Sequence, residues 1–183
     1  MSELLIRPLA PDTGTVEALA ALLVETVAAG GSVTFMHPLA PDRARAFWRA
    51  ALEGAARGER IVLGGFLDGV LAGTVTLQLA MPENQPHRAE IAKMMTAVAW
   101  RGRGIATALL KKAERLALAH RRTLLVLDTA QDGGAGPLYE ACGFLPAGRI
   151  PGYAFKPQGG LTDTLLYWKP LPSASATPAD API

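Results

Sequence analysis

An α/β fold is predicted, with a mixed central sheet of about six or seven strands flanked by about four helices. Three observations predict it. Residues 88–127 read as a strand, a basic glycine turn, a helix and a second strand, the unit that builds a parallel pair. Residues 61–79 read as a hairpin, the unit that builds an antiparallel pair. The chain has 183 residues, 50% of them hydrophobic, enough for one domain that buries its own core.

The elements follow in order. Residues 3–7 make a first strand, and Asp12, Thr13 or Thr15 caps a helix carrying Val16, Leu19, Leu22, Leu23 and Val27 on one face. Ala29-Gly30-Gly31 ends that helix. Residues 32–40 form an apolar, irregular connection, in which Phe35 and Met36 either plug the core or line a substrate pocket. A second helix spans 41–57. The hairpin runs from Ile61 to Leu67, turns at Asp68-Gly69 and returns to Leu79, alternating through Val75, Leu77 and Leu79. Residues 81–87 then form a loop containing Pro and Asn before the strand that begins at Arg88.

From Gly104 the apolar positions Ile105, Leu109, Leu110, Ala113, Leu116 and Ala117 recur at helical spacing. The helix therefore starts inside Arg101-Gly102-Arg103-Gly104. Its first amides lack intrahelical partners and carry the positive end of the helix dipole, and the glycines let a ligand come close to the backbone. With two arginines alongside, the turn suits a phosphate or pyrophosphate. A solvated basic turn is the alternative reading. No Gly-Lys-Ser/Thr follows, which excludes the NTPase phosphate loop, and Thr107 stands where a dinucleotide fingerprint has its third glycine.

Residues 123–127 are a short apolar run, as in a buried strand parallel to the one before the helix and joined to it by a right-handed crossover. Asp128 ends that run where ligands collect in α/β sheets; a turn or capping role is the alternative. Pro137 early and Gly143 just past the end delimit a short helix. After Phe144 a strand runs to Ile150, Pro151-Gly152-Tyr153 turns into a loop, and 162–168 is the final strand, with Gly159-Gly160 making the return. The domain so defined is 1–169, followed by a Pro/Ala/Ser-rich tail, 170–183, expected to stay disordered.

Composition removes several function classes. A formal charge of +2 does not argue for nucleic acid, and no apolar run is long enough for a membrane span. Met-Ser-Glu-Leu-Leu-Ile-Arg-Pro lacks the features of a signal peptide, so a cytoplasmic location is expected. Cys142 is the only cysteine, which excludes an intrachain disulfide and a multi-cysteine zinc site, and it reads as packing rather than as a nucleophile. His37, His87 and His120 show no metal-binding spacing, so no metal is expected.

Arg101-x-x-Gly104-x-Ala106 matches the Arg/Gln-x-x-Gly-x-Gly/Ala signature of the GNAT acetyltransferase superfamily. Ala135-x-x-Leu138-Tyr139-Glu140-x-x-Gly143-Phe144 resembles the second conserved region of those enzymes, at the expected distance. The stretches 31–36, 87–95, 127–129, 150–153 and 157–161, continuing to Tyr167 and Lys169, are similar to the tabtoxin-resistance branch, so the resemblance covers nearly the whole chain before the tail. Two departures stand out. Val98-Ala99-Trp100 replaces the common His-Pro-x-Tyr, and Asp132 stands where many relatives have asparagine.

The resemblance implies a GNAT fold and acetyl-CoA as the acetyl donor. It sets the pyrophosphate on the turn formed by Arg101, Gly102, Arg103, Gly104, Ile105, Ala106 and Thr107. It sets pantetheine beside Met95 and Thr96, in a gap between the strand from 88 and the strand at 123–127. Glu90 and Asp128 match the proton acceptors, Tyr139 matches the tyrosine that protonates the departing thiolate, and Phe35, Met36 and Tyr153 lie over the acceptor site.

The chemistry suits these residues. A primary ammonium with a pKa of about 10 must lose a proton before it attacks a thioester. Glu90 and Asp128 can accept that proton from neighbouring strands, with their separate roles left open, and Asp128 should be partly desolvated by the Leu and Val before it. A surface pairing of Glu90 with Arg88 or Lys93 is the alternative. A backbone amide of the strand from 88 would stabilise the developing oxyanion. The expected function is acetyl transfer to a primary amine of a small molecule, with toxins and antibiotics among the candidates, by direct attack in a ternary complex. A GNAT-like coenzyme A-binding protein without catalysis is the alternative. A nucleic-acid module built on Arg101, Arg103, Arg121 and Arg122 is disfavoured because aromatic residues do not interleave with the turn. The expected partner is the amine substrate, without nucleic acid or membrane; a homodimer is compatible with the sequence.

Overall fold

The computed structural model describes residues 3–172. Its elements are β1 (Leu4–Pro8), α1 (Thr13–Ala28), α2 (Pro41–Ala56), β2 (Arg60–Leu67), β3 (Val70–Gln78), β4 (Arg88–Thr96), α3 (Ile105–Ala119), β5 (Leu124–Ala130), α4 (Gly136–Ala141), β6 (Leu145–Phe155) and β7 (Leu161–Pro170). They build a seven-stranded mixed sheet in the order β1-β2-β3-β4-β5-β7-β6. Among the described residues only β4 and β5 pair in parallel, as expected for two strands joined through a helix.

Both faces of the sheet are covered. Leu19 and Leu23 of α1 and Trp48 and Leu52 of α2 are buried with Val62 and Met95 on one face. Ile105, Leu109, Leu110, Ala113 and Ala117, the apolar stripe of α3, are buried on the other with Leu125, Leu127 and Tyr139. Local chemistry sets several boundaries. Of the three candidate caps for α1, Asp12 is the one used: its Oδ1 accepts from the Thr15 amide at 2.9 Å. Asp68 and Gly69 both have positive φ, 49° and 79°, the mirror-image turn that matches strand twist in a two-residue hairpin.

Two sequence expectations need correction. β5 does not end before Asp128: Asp128, Thr129 and Ala130 pair with Leu166, Leu165 and Thr164 of β7, so the carboxylate sits within a strand. Pro151-Gly152-Tyr153 is not a turn into a loop but an irregularity inside β6. Pairing is restored on either side, Ile150 with Thr164 and Ala154 with Thr162, while the Gly152 amide donates to Asp163 Oδ1 at 2.8 Å. Such a bulge is tolerated because β6 is an edge strand, where the missing amide of Pro151 leaves no ladder bond broken inside the sheet. β7 continues through Pro170, and Leu171 is buried, its amide bonded to Thr123 O at 2.8 Å. The tail from 173 onward lies outside the described residues. Among the described residues no helix is long and apolar enough to cross a membrane.

Candidate active site

The site is organised by a split in the sheet. β4 and β5 are in register only from Arg88 opposite Leu124 to Glu90 opposite Val126; beyond that the two strands part. β4 diverges through a bulge. Thr76 and Thr74 of β3 face Ala92 and Met95 of β4, so one extra residue is accommodated near Lys93, whose φ is 51°.

At the end of β4 the chain makes a short 3₁₀ turn over Val98–Trp100 and enters the basic glycine turn. Gly102 and Gly104 lie at φ 74° and 76°, a left-handed region that favours glycine, and no atom lies within 4 Å of where a Cβ would stand on either. No side chain caps α3. The first helical bond runs from the Ala108 amide to Gly104 O, so the amides of Ile105, Ala106 and Thr107 precede the ladder. The Arg103 guanidinium stands 4.8 Å over the Trp100 ring, and Arg101 Nε donates to Thr96 O at 3.4 Å. An open concave backbone, uncapped amides and two guanidinium groups fit a diphosphate. Met95 is different: its side chain is committed to the α1/α2 core, leaving only its main chain for a ligand in the split.

The chemistry-bearing side chains follow from strand alternation. Ala89 and Ile91, like Leu125 and Leu127, pack into the α3 side of the core, so Glu90 and Asp128 project to the opposite, α1/α2 face. Glu90 Oε2 lies 3.4 Å from Arg88 Nη1, the pairing the sequence offers as its alternative role. Asp128 Oδ2 accepts from Thr164 Oγ1 at 3.2 Å. It is exposed rather than partly desolvated, because the parting of β4 from β5 opens the flank that a neighbouring strand would have covered.

Tyr139, on α4, is buried against Phe144 and Tyr167, at ring distances of 5.9 Å and 6.0 Å. Burial first, then the charge of Asp128, pushes its phenol up to about 12, so it keeps its proton throughout the neutral range. Cys142 is half-buried and packs against the same core.

Lys93 is the residue that sequence reasoning missed. Simple alternation from Glu90 would send residue 93 toward α3; the bulge turns it back to the α1/α2 face. There its Nζ lies 5.8 Å from the centre of the Phe47 ring. Burial lowers the pKa of the ammonium, opposed by the charges of Asp128 and Glu90. The only signal available was the position of Lys93 between Glu90 and the proposed coenzyme strand.

On the acceptor side, Phe35 packs edge-on against Phe47 at 5.2 Å, and Phe47 against Trp48 at 5.0 Å, so Phe35 is partly a core plug and shares the ring that Lys93 faces. Met36 and Tyr153 are exposed, Tyr153 in the β6 bulge. The β6–β7 turn is fastened to the α1–α2 connection: the His37 amide donates to Pro157 O at 2.9 Å, and Gln158 Nε2 to Ala28 O at 3.1 Å. Asp132 pairs with Lys156 at 3.5 Å. Arg122 donates to the carbonyls of Pro86 and Leu79, so its head group is engaged within the fold.

Solved structures share this architecture. An N-acetyltransferase from Staphylococcus aureus Mu50 overlays with a TM-score of 0.78 at 20% identity, over 93% of this chain and 100% of that one. A ribosomal-protein-alanine N-acetyltransferase from Brucella melitensis gives 0.76 at 24% identity, over 91% and 99%. A Salmonella typhimurium protein assigned as an acetyltransferase, yncA, determined with its cofactor acetyl-CoA, gives 0.76 at 18%, over 97% and 99%. At these identities the likeness is one of fold. The model of the acetyltransferase (GNAT) family matches residues 28–144, from the end of α1 through α4 and so across both sides of the split, and by that match this chain belongs to the GNAT family.

Proposed function

We propose that this chain moves an acetyl group from acetyl-CoA to a primary amine of a small molecule, by direct attack in a ternary complex. The observation that carries the reading is the split itself. In its support, Glu90 and Asp128 lie on the two strands that part, the uncapped glycine turn follows the end of β4, and Tyr139 keeps its proton through the neutral range. When bound, acetyl-CoA supplies an acyl thioester with a thiolate leaving group. The guanidinium groups of Arg101 and Arg103 and the amides from Gly102 to Thr107 hold the diphosphate. Glu90 or Asp128 would take one proton from the acceptor ammonium, the freed amine would attack the thioester carbonyl carbon as the C–S bond breaks, and Tyr139 would protonate the departing sulfur and be reprotonated by the second nitrogen proton. A toxin or antibiotic acceptor, as in the tabtoxin-resistance branch, and action in the cytoplasm belong to the same reading.

The deciding assay offers acetyl-CoA with amino acids, dipeptide-like toxins, polyamines and aminoglycosides, with mass spectrometry of the products. An acetylated amine is expected. Coenzyme binding without product across the panel would favour the non-catalytic binder.

Two variants probe the parts of this mechanism. Tyr139→Phe keeps the ring that packs on Phe144 and should lower kcat near neutral pH. The deficit should shrink above about pH 9, where a thiol of ordinary pKa leaves as a thiolate without help. Ionisation of Tyr139 cannot be the cause of that convergence, because its own proton stays on until about pH 12. A deficit constant across pH removes Tyr139 as the acid. Phe35→Ala or Tyr153→Ala should raise the acceptor KM more than the coenzyme KM. Equal rises, together with a lowered Tm, would assign these rings to packing alone.

The reading includes a homodimer. The edge formed by β6 and β7 exposes Leu145, Ile150, Phe155, Leu161 and Trp168, more large apolar side chains than a solvated edge calls for. Sedimentation should show a dimer that Phe155→Glu dissociates; a monomeric wild type at micromolar concentration removes this part of the reading.

A further inference from the structure

The transfer described above leaves Lys93 without a task, although the fold takes trouble to place it. A strand without the bulge would turn residue 93 toward α3; the extra residue in β4, at φ 51° on a side chain that is not glycine, sends it to the face shared by Glu90 and Asp128. Both carboxylates are close enough for their charges to act on it. Among the described residues it has no hydrogen-bond or ion-pair partner, and the Phe47 ring is the contact its ammonium makes. A half-buried primary amine therefore shares a sheet face with the two proposed proton acceptors, against the Phe47 ring.

The other lysines are placed differently. Lys156 pairs with Asp132, Lys169 pairs with Glu114 at 2.6 Å, and Lys111 and Lys112 lie on α3, across the sheet.

We infer that Lys93 is itself an acetyl acceptor: when no external amine is present, its Nζ takes the acetyl group from acetyl-CoA, and the chain becomes modified at that position. The inference rests on the acetyl-CoA reading above. Glu90 or Asp128 removes one proton from the ammonium. The freed lone pair attacks the thioester carbonyl carbon, the N–C bond forms and the C–S bond breaks. The second proton leaves the nitrogen for the departing sulfur, giving an amide and free coenzyme A with no change of oxidation state. Burial of Lys93 favours this by increasing the share of free amine. The modified side chain has lost its charge and fills the space before the carboxylates, so the acceptor competes with it for the same place.

The test incubates the full chain with acetyl-CoA in amine-free buffer and follows intact mass and mapped peptides, while Tm in the same samples reports coenzyme binding. One acetyl group should be added at Lys93, at least about tenfold faster than at Lys111, Lys112, Lys156 or Lys169, since Lys111 and Lys112 lie across the sheet and Lys156 and Lys169 are engaged in ion pairs. Lys93→Arg and Lys93→Gln should lose this label and still show the coenzyme-induced rise in Tm. Asp128→Asn should label more slowly. A rise in Tm with no label at Lys93, or with label spread evenly over the lysines, overturns the inference. No rise in Tm for the wild type overturns the acetyl-CoA reading and this inference with it.

Discussion

Gly104→Glu is expected to raise the Kd for acetyl-CoA by at least about a hundredfold. Two effects add. Gly104 sits at φ 76°, where a residue with a Cβ costs roughly 1–2 kcal/mol, so the turn relaxes away from the shape that aims the first amides of α3 outward. The new carboxylate would then stand at the positive helix end, next to Arg103 in the chain, and cancel part of the attraction on which the proposed phosphate site depends. Each loss of about 1.4 kcal/mol is tenfold in Kd, so strain and repulsion together readily reach two decades. The added Cβ itself meets no described atom within 4 Å beyond its chain neighbours, so the strain is confined to the backbone of the turn. Coenzyme at about a hundred times Kd should stabilise the wild type by about 2.7 kcal/mol, and that gain should be nearly lost in the variant. Gly104→Asn, which tolerates the left-handed region and adds no charge, should fall between the two. Titration calorimetry showing equal affinity for wild type and Gly104→Glu would remove the turn as the phosphate site.

How much of this could be read from the chain depended on the range of the forces involved. The cap at Asp12, the Asp68-Gly69 turn and the glycine-flanked start of α3 are set by residues within a few positions of one another, and they appear where the sequence places them. The basic glycine turn, whose residues are consecutive, likewise has its left-handed glycines and its helix start where the sequence places them. The features that were not legible arise between strands distant in sequence. The bulge at Lys93 comes from how β4 registers on β3, so strict alternation assigns that lysine to the wrong face. The exposure of Asp128 comes from the parting of β4 and β5 after three paired positions, which no apolar run reports. Pro151-Gly152-Tyr153 has the composition of a turn, yet pairing with β7 on both sides keeps it in a strand. Tyr139 was legible as a motif position. Its firmly held proton was not, because that depends on burial against Phe144 and Tyr167 and on the charge of Asp128.

Glu90→Gln and Asp128→Asn should each retain coenzyme affinity and lower kcat by about ten- to ten-thousand-fold, the range for losing a general base or an orienting group. Affinity should survive because both side chains project to the α1/α2 face, whereas the proposed phosphate site is the turn that opens α3. The rate should fall because an amine with a pKa of about 10 is free in only roughly one molecule in a thousand at pH 7, and a carboxylate must take the proton from the rest. Asp128→Asn should be the more damaging. The charge of Asp128 acts on both Lys93 and Tyr139, whereas Glu90 is partly engaged by Arg88. Removing that negative charge should lower the pKa of Lys93 further and bring Tyr139 slightly below about 12, burial still holding it up, both measurable by titration. The pH profile separates the two roles that a carboxylate can play. If it acts as the base, the deficit should close above about pH 10, where the acceptor amine sheds its proton unaided; if it orients the amine, the deficit should persist. Wild-type kcat in both variants across the whole pH range, on a verified acceptor, would leave the split without its proton acceptors and the proposed mechanism without a base.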